Sequence, residues 1–556
     1  MRILRYNLIA MALIGASIVQ ADTRVSGGTI HTMDPANPNP EAICVGDDGR
    51  IKALSGCDNE SLLDLAGGTL IPGFIEGHGH LMSLGFSKLN LDLSQTKSLD
   101  QLVANVAEAV DEAEPGDWIV GRGWHQSKWT PKPKMVKGFQ TNETLNEVSP
   151  DNPVYLVHAS GHAAFANDKA LEVAGINENT RVSGDGEIIR DTTGRATGAL
   201  NERAMRLVSK HIPDVSDAQR RRALALALEE LASHGITSFQ DAGTGQADID
   251  LYKAFLEEGE LSARVYVMIT GGNPDLLAKW LDQGPEINLG QDELTIRSIK
   301  LVADGALGSR GAWLLSDYED RANHVGLPTM PFEDMEAISH AAYQNGFQVG
   351  IHAIGDRANR EVLDIFDALF DGRDRGVRYR IEHAQHIDPA DIPRFGQLGV
   401  IASMQGIHMS SDRPWAIDRL GLKRIKEGAY MWRSLRDTGA VISNGTDAPV
   451  EPVSAIASFY SLVSRKTLAG QPEGGYEPEQ RLTRYEALKS YTLDAAYSAF
   501  EEDIKGSLTP GKWADMVVLD RDILTCPEEE ILGARVLRTL KGGQSVFASD
   551  LSLIHI

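Results

Sequence analysis

The sequence predicts an α/β protein: a (β/α)₈ barrel with a segment inserted over one end and a small β-sandwich built from both termini. Three observations carry this expectation. Eight short apolar runs of strand type alternate with helical patterns through the middle of the 556-residue chain. Turn-punctuated, strand-like stretches occupy both ends. The first of the eight runs ends in His78-Gly-His80, and several later runs also end in a histidine or an aspartate. In a barrel of this kind the chemistry sits at the C-terminal ends of the strands.

Residues 1–21 carry Arg2 and Arg5 ahead of the mostly apolar run Leu8 to Val19, followed by Gln20 and Ala21. A positive start, a short apolar run and small residues at its end describe a cleavable signal peptide, so a periplasmic or secreted protein is expected. The run is too short to span a bilayer comfortably, and no later stretch is apolar enough, so no stable membrane insertion is expected.

From Thr23 to Thr69 the chain alternates and turns as a small sheet would, through Thr29-Ile-His-Thr, Ala42-Ile-Cys-Val, the turn Gly46-Asp-Asp-Gly and Ile51-Lys-Ala-Leu. Near the other end, Gly506 to Asp520 reads as a turn followed by a buried strand. Residues 22–69 and 505–550 are therefore expected to share one β-sandwich. Three cysteines, Cys44, Cys57 and Cys526, make neither a disulfide framework nor a thiolate metal site. Cys44 and Cys57 flank the presumptive hairpin, and an oxidising compartment could join them; the sequence leaves that open.

The barrel is expected over residues 70–504. Its strands are the run ending at His80, then Ile236 to Gln240, Arg264 to Ile269, Ile296 to Val302, Gln348 to His352, Arg378 to His383, Val400 to Gln405 and Val441 to Asp447. Helical patterns separate them, for example Ala218 to Ser233 and Asp334 to Asn345. A doubly wound open sheet is the alternative, but no phosphate-binding glycine fingerprint favours it. Between the first and second strands lie roughly 150 residues, where a βα unit needs only a few dozen. The excess, 84–215, emerges at the catalytic face and is expected to roof the pocket.

A net charge of −24 argues against nucleic acid or an anionic membrane surface as partner. A small-molecule substrate remains, and a homodimer is left open.

Residues two apart in a strand share a face, so His78 and His80 aim the same way with only Gly79 between them. At other strand ends stand His352, His383 and Asp447, and Lys300 interrupts the apolar run of the fourth strand. Each alone reads as an ordinary structural residue. Four histidines and an aspartate at the ends of one barrel's strands read as a metal site.

These residues sit in motifs that resemble the metal-dependent amidohydrolase superfamily, and its family 3 branch of YtcJ-like proteins and N-substituted formamide deformylases in particular. The motifs are Pro72-Gly-Phe-Ile-Glu-Gly-His-Gly-His, Lys300-Leu-Val-Ala-Asp-Gly-Ala-Leu-Gly-Ser-Arg, Ile351-His-Ala-Ile-Gly-Asp, Ile381-Glu-His-Ala-Gln and Asn444-Gly-Thr-Asp-Ala-Pro-Val. Gly161-His-Ala-Ala-Phe-Ala, Gly194-Arg-Ala-Thr-Gly and Pro510-Gly-Lys-Trp-Ala-Asp extend the resemblance over nearly the whole chain after residue 21. One departure is visible: Glu76 stands where that branch usually has an aspartate.

The resemblance implies that His78, His80 and Asp447 hold one divalent metal, zinc by ligand type, and that His352 and His383 hold a second. It implies a carbamate on Lys300, formed with carbon dioxide, as the bridge. It further implies attack of metal-bound hydroxide on a non-peptide carbon–nitrogen bond of amide or formamide type, with Asp447 as the proton carrier. His125, His162 and Arg310 are the candidate substrate contacts. Rival readings are an isomerase or decarboxylase on the same metals, and a periplasmic binding protein without chemistry.

Overall fold

The computed structural model describes residues 22–57, 61–93, 95–126, 129–158, 163–182, 186–308 and 310–550, with Glu202 described by its backbone alone. Residues 1–21, expected to be a signal peptide, and His162 lie outside the described residues.

Eight parallel strands form the central sheet: β1 (Phe74–Gly79), β2 (Ile236–Thr244), β3 (Arg264–Thr270), β4 (Leu294–Val302), β5 (Gln348–Ala353), β6 (Arg380–His383), β7 (Ile401–Gln405) and β8 (Ile442–Gly445). Each pairs with the next in chain order. β8 then returns to the side of β1. There the Asp447 amide donates to the His78 carbonyl and the His80 amide donates to Ala448, each at 2.8 Å. A Cβ on Gly77 would fall 2.5 Å from the Asn444 carbonyl oxygen, so this seam closes only around a glycine. The sheet is the expected (β/α)₈ barrel. Its strands are buried on both faces, which is why they read as nearly continuous apolar runs.

The helices form where the sequence supplies both a cap and an apolar stripe. Helix Asp217–Ser233 opens on a capping box between Ser216 and Gln219. Helix Asp356–Phe370 turns Val362, Leu363, Phe366 and Phe370 inward, and the last two meet Tyr379 edge-on at 5.2 and 5.4 Å.

After β1 the chain does not leave the barrel at once. Helix Leu81–Leu89 packs on helix Asp217–Ser233, and only then does a separate six-stranded sheet begin, spanning Leu91–Asp92 to Ala196–Glu202. That sheet has a core of its own around Leu102, Trp124, Leu156 and Phe165, with the Trp124 indole donating to the Leu156 carbonyl at 2.9 Å.

Of two further sheets, one is built from strands within residues 23–64 and the other joins strands from both ends of the chain. Strand Thr69–Pro72 pairs antiparallel with Met516–Leu519, and Ile51 donates to the Lys512 carbonyl at 2.9 Å. Val25, Ile43, Leu70, Met516 and Val518 meet in their common core. Cys44 and Cys57 are disulfide-bonded, with Cα atoms 5.3 Å apart. A buried ion pair fastens this unit to the barrel's base: Arg264 on β3 donates to Asp515 at 2.7 Å, and its guanidinium lies 4.4 Å from the Trp513 ring. No described helix is long and apolar enough to cross a membrane.

Candidate metal centre

Strand geometry brings the first residues together. His78 and His80 leave the end of β1 on one side, and the turn after β8 presents Asp447 opposite them, in left-handed backbone at φ 59°. His80 Nε2 lies 3.1 Å and His78 Nε2 3.7 Å from Asp447 Oδ1. The ligand atoms of these three residues all lie within 4.8 Å of one another. The His78 ring is 4.9 Å from His383, which ends β6 at φ 74°, and His383 is 4.5 Å from His352 on β5. Lys300 on β4 is buried, and no hydrogen bond or ion pair joins its amine to another described residue.

The donor set fits a divalent metal. A four-coordinate ion with bonds of about 2.1 Å needs ligand atoms about 3.4 Å apart, the spacing found between Asp447 and the two imidazoles. His78 Nε2 is buried with no hydrogen-bond partner. Leaving such an atom unpaired is costly unless something is meant to meet it.

The other ring nitrogen of His78, His80 and His383 is fixed from outside the cluster. His78 Nδ1 meets the Glu382 carboxylate at 2.6 Å, His80 Nδ1 the Ala242 carbonyl at 2.7 Å, and His383 Nδ1 the Gln405 side chain at 2.8 Å. Such partners set ring orientation and raise ligand basicity. Glu382 is itself held by Arg380, through Nε at 2.7 Å and Nη2 at 3.0 Å. Arg380 Nη2 also donates to the Gly77 carbonyl and the Ser403 hydroxyl, both at 2.8 Å, so the network ties β6 to β1 and β7 through the barrel interior.

Burial and neighbouring charge set the protonation states. Burial lowers the His78 imidazole to about 4, despite Glu382 beside it, and burial also lowers His383. Both therefore offer lone pairs at neutral pH. Burial pushes the Asp447 carboxyl up, but His80, His383, His78 and His408 outweigh it and hold the group below the usual carboxylate range. Burial lowers the Lys300 amine from its ordinary value. Burial pushes Glu76 up to about 8, even though the Thr446 amide and hydroxyl both donate to it. Glu76 points into the β1–β8 seam, so the longer side chain at this position braces the turn that carries Asp447.

The candidate substrate contacts fare differently. Arg310 is engaged elsewhere: its guanidinium grips Asp320 through Nε at 3.0 Å and Nη2 at 2.7 Å, and Arg419 joins the same carboxylate. His125 directly follows strand Ile119–Trp124 of the inserted sheet, with its ring 4.7 Å from His158.

Sequence reading passed over four residues at this centre. Glu382 and Arg380 share a strand face, and that two-residue spacing was the available signal. Gln405 ends β7 and His408 follows it, with His408 Nε2 4.0 Å from Asp447 Oδ2. A lone histidine in a helix offered no signal.

Comparison with known proteins agrees with this geometry. A model of the amidohydrolase family matches residues 61–547. Protein LONG AFTER FAR-RED 3 of Arabidopsis thaliana is 32% identical over 95% of this chain and 92% of its own length. An N-substituted formamide deformylase of Arthrobacter pascens is 28% identical over 94% of this chain and 97% of its own. The crystal structure of an uncharacterized metal-dependent hydrolase from Pyrococcus horikoshii superposes with a TM-score of 0.73 at 29% identity, covering 92% of this chain and 99% of that one. The chain belongs to the amidohydrolase family and is a metal-dependent hydrolase acting on carbon–nitrogen bonds.

Proposed function

We propose that the protein is exported and hydrolyses a non-peptide amide- or formamide-type bond in a small molecule. His78, His80 and Asp447 would hold one divalent ion. His352, His383 and a Lys300 carbamate would hold a second, zinc suiting imidazole and carboxylate ligands. The observation that carries the reading is the cluster of His78, His80 and Asp447 around an unpartnered buried nitrogen. The formamide deformylase among the relatives supports the choice of bond. The Cys44–Cys57 disulfide supports an oxidising compartment.

A divalent ion here supplies Lewis acidity, activating water at neutral pH and polarising the substrate carbonyl. The protein's own groups do the rest. Asp447 is ionised and sits at the cluster's edge, where it accepts the water's proton and returns it to the departing nitrogen. Glu382 and Gln405 hold the imidazoles in place. The six-stranded inserted sheet is suited to cover the mouth and exclude bulk water.

The direct test is turnover of a panel of N-substituted formamides, acetamides and N-acyl amino acids by metal-loaded protein. Transfer of ¹⁸O from labelled water into the acid product marks hydrolysis, and its absence alongside turnover marks an isomerase or decarboxylase. Purified protein should carry about one to two equivalents of a divalent transition metal, and chelation should abolish activity that the metal restores. Undiminished activity in metal-free protein would end the proposal.

Lys300 has its own prediction. A buried amine with a lowered pKa is neutral often enough to add carbon dioxide, giving an anion with two oxygens in place of a cation. Lys300→Ala should lose about one metal equivalent, and short carboxylates should restore part of the activity. Lys300→Arg should fare no better than alanine, because a guanidinium stays charged. Full metal and activity in the arginine variant would make Lys300 a structural strand residue.

A further inference from the structure

His408 belongs to none of the roles above, and its surroundings are built rather than incidental. It lies in the first turn of helix Gly406–Gly428, directly after β7. That turn is pinned at two of its free amides: Gly406 donates to the Asn444 side chain at 3.0 Å and Ile407 to the Ser458 hydroxyl at 2.9 Å. A Cβ at Gly406 would fall 2.7 Å from the Leu462 side chain, so the helix start is seated against its neighbour. The His408 ring is stacked on His383 at 6.2 Å with 16° between their planes. The residue is only 8% exposed, and its Nε2 is buried without a hydrogen-bond partner.

That nitrogen faces the outer oxygen of Asp447. Oδ1 looks toward His80 and His78, whereas Oδ2 looks toward His408 Nε2 at 4.0 Å. The separation is too long for a direct hydrogen bond. A substrate atom placed between them would lie about 2.8 Å from both groups.

We propose that His408 is a further catalytic residue, and that it contacts the departing nitrogen of the substrate opposite Asp447. The inference rests on the hydrolase reading above and adds which end of the scissile bond lies on the β7 side. In the proposed contact Nε2 accepts the nitrogen's own N–H, which turns the nitrogen lone pair toward Asp447 Oδ2. As the carbon–nitrogen bond breaks, its electron pair goes to nitrogen and the proton on Asp447 follows. The product is a free amine, with Asp447 again ionised. The pinned helix start means that the imidazole is held in place before substrate arrives, with little left to order on binding.

The test compares wild type, His408→Gln and His408→Ala, each with its metal content measured. The substrates are N-butylformamide, whose alkylamine leaves poorly without help, and p-nitroformanilide, whose nitroaniline leaves easily. Butylamine affinity is measured alongside by calorimetry. Metal content should be unchanged, and the variants should lose about tenfold or more in kcat on the butyl substrate relative to the nitroanilide. They should also bind butylamine more weakly, and glutamine should retain more of both properties than alanine. Equal losses on both substrates, or no loss on either, would overturn the assignment. A wild type that hydrolyses neither formamide would count against the substrate reading alone. The butylamine comparison would then still decide whether His408 faces an amine, and unchanged affinity would overturn that too.

Discussion

Asp447→Asn should lower kcat by about a hundred- to ten-thousand-fold, the range for a lost general base. The variant keeps the size of the side chain and one oxygen that can still face the metal site. It removes the ability to take and return a proton. Among the described residues Asp447 is the one carboxylate with an oxygen 3.1 Å from His80 Nε2 and another turned toward His408. Its left-handed backbone puts that carboxylate where an extended strand end would not, and asparagine is among the residues that tolerate this conformation best. The variant should therefore fold, retain most of its metal and bind substrate within a few-fold of wild type. Steady-state kinetics with metal analysis on the same preparation checks the expectation. A variant at near wild-type kcat would pass the base role to another group, with His125 and His162 the next candidates.

Glu382→Gln should cost both stability and metal. The carboxylate is fully buried between the His78 imidazole and the Arg380 guanidinium, and those two partners outweigh burial and keep it ionised. Glutamine matches its shape, yet leaves the Arg380 cation buried with no counter-charge. Breaking a buried pair from one side costs about 3–5 kcal/mol. Without its acceptor the His78 ring also loses orientation and basicity, which is worth about 10- to 100-fold in metal affinity. Chemical denaturation of the metal-free protein reads the first effect, and competition with a chromophoric chelator reads the second. The double variant Glu382→Leu with Arg380→Met should recover most of the stability and none of the metal affinity. If Glu382→Gln unfolds like wild type and holds metal as tightly, the network serves neither purpose.

What could be read from the chain followed from where side-chain periodicity is strong. Parallel strands buried on both faces produce unbroken apolar runs, so all eight stood out, and their order alone implied the barrel. Histidines are few enough in strands that those at 78, 80, 352 and 383 drew notice, and the structure brings the four rings and Asp447 to one end of the barrel. Contacts that depend on distant pairing were not legible. Glu382 is 304 positions from His78, and nothing local marks either as the other's partner. His408 looks like any polar residue early in a helix until β8 sets Asp447 beside it. The pairing of Arg310 with Asp320 was likewise not legible, although the two stand only ten residues apart.

The strand at Thr69–Pro72 has its antiparallel partner at Met516–Leu519. During synthesis that partner emerges about 450 residues later, which at roughly 5–20 residues per second is a wait of about 20–90 seconds. Throughout that interval the apolar face of Leu70 lacks Met516 and Val518, its neighbours in the finished core. A nascent chain of this design has Thr29–Ile30 to pair with one edge of that strand, but the other edge stays open until almost the last residue has been made. Removing the last forty residues should consequently give an aggregating chain, not a barrel with a ragged edge.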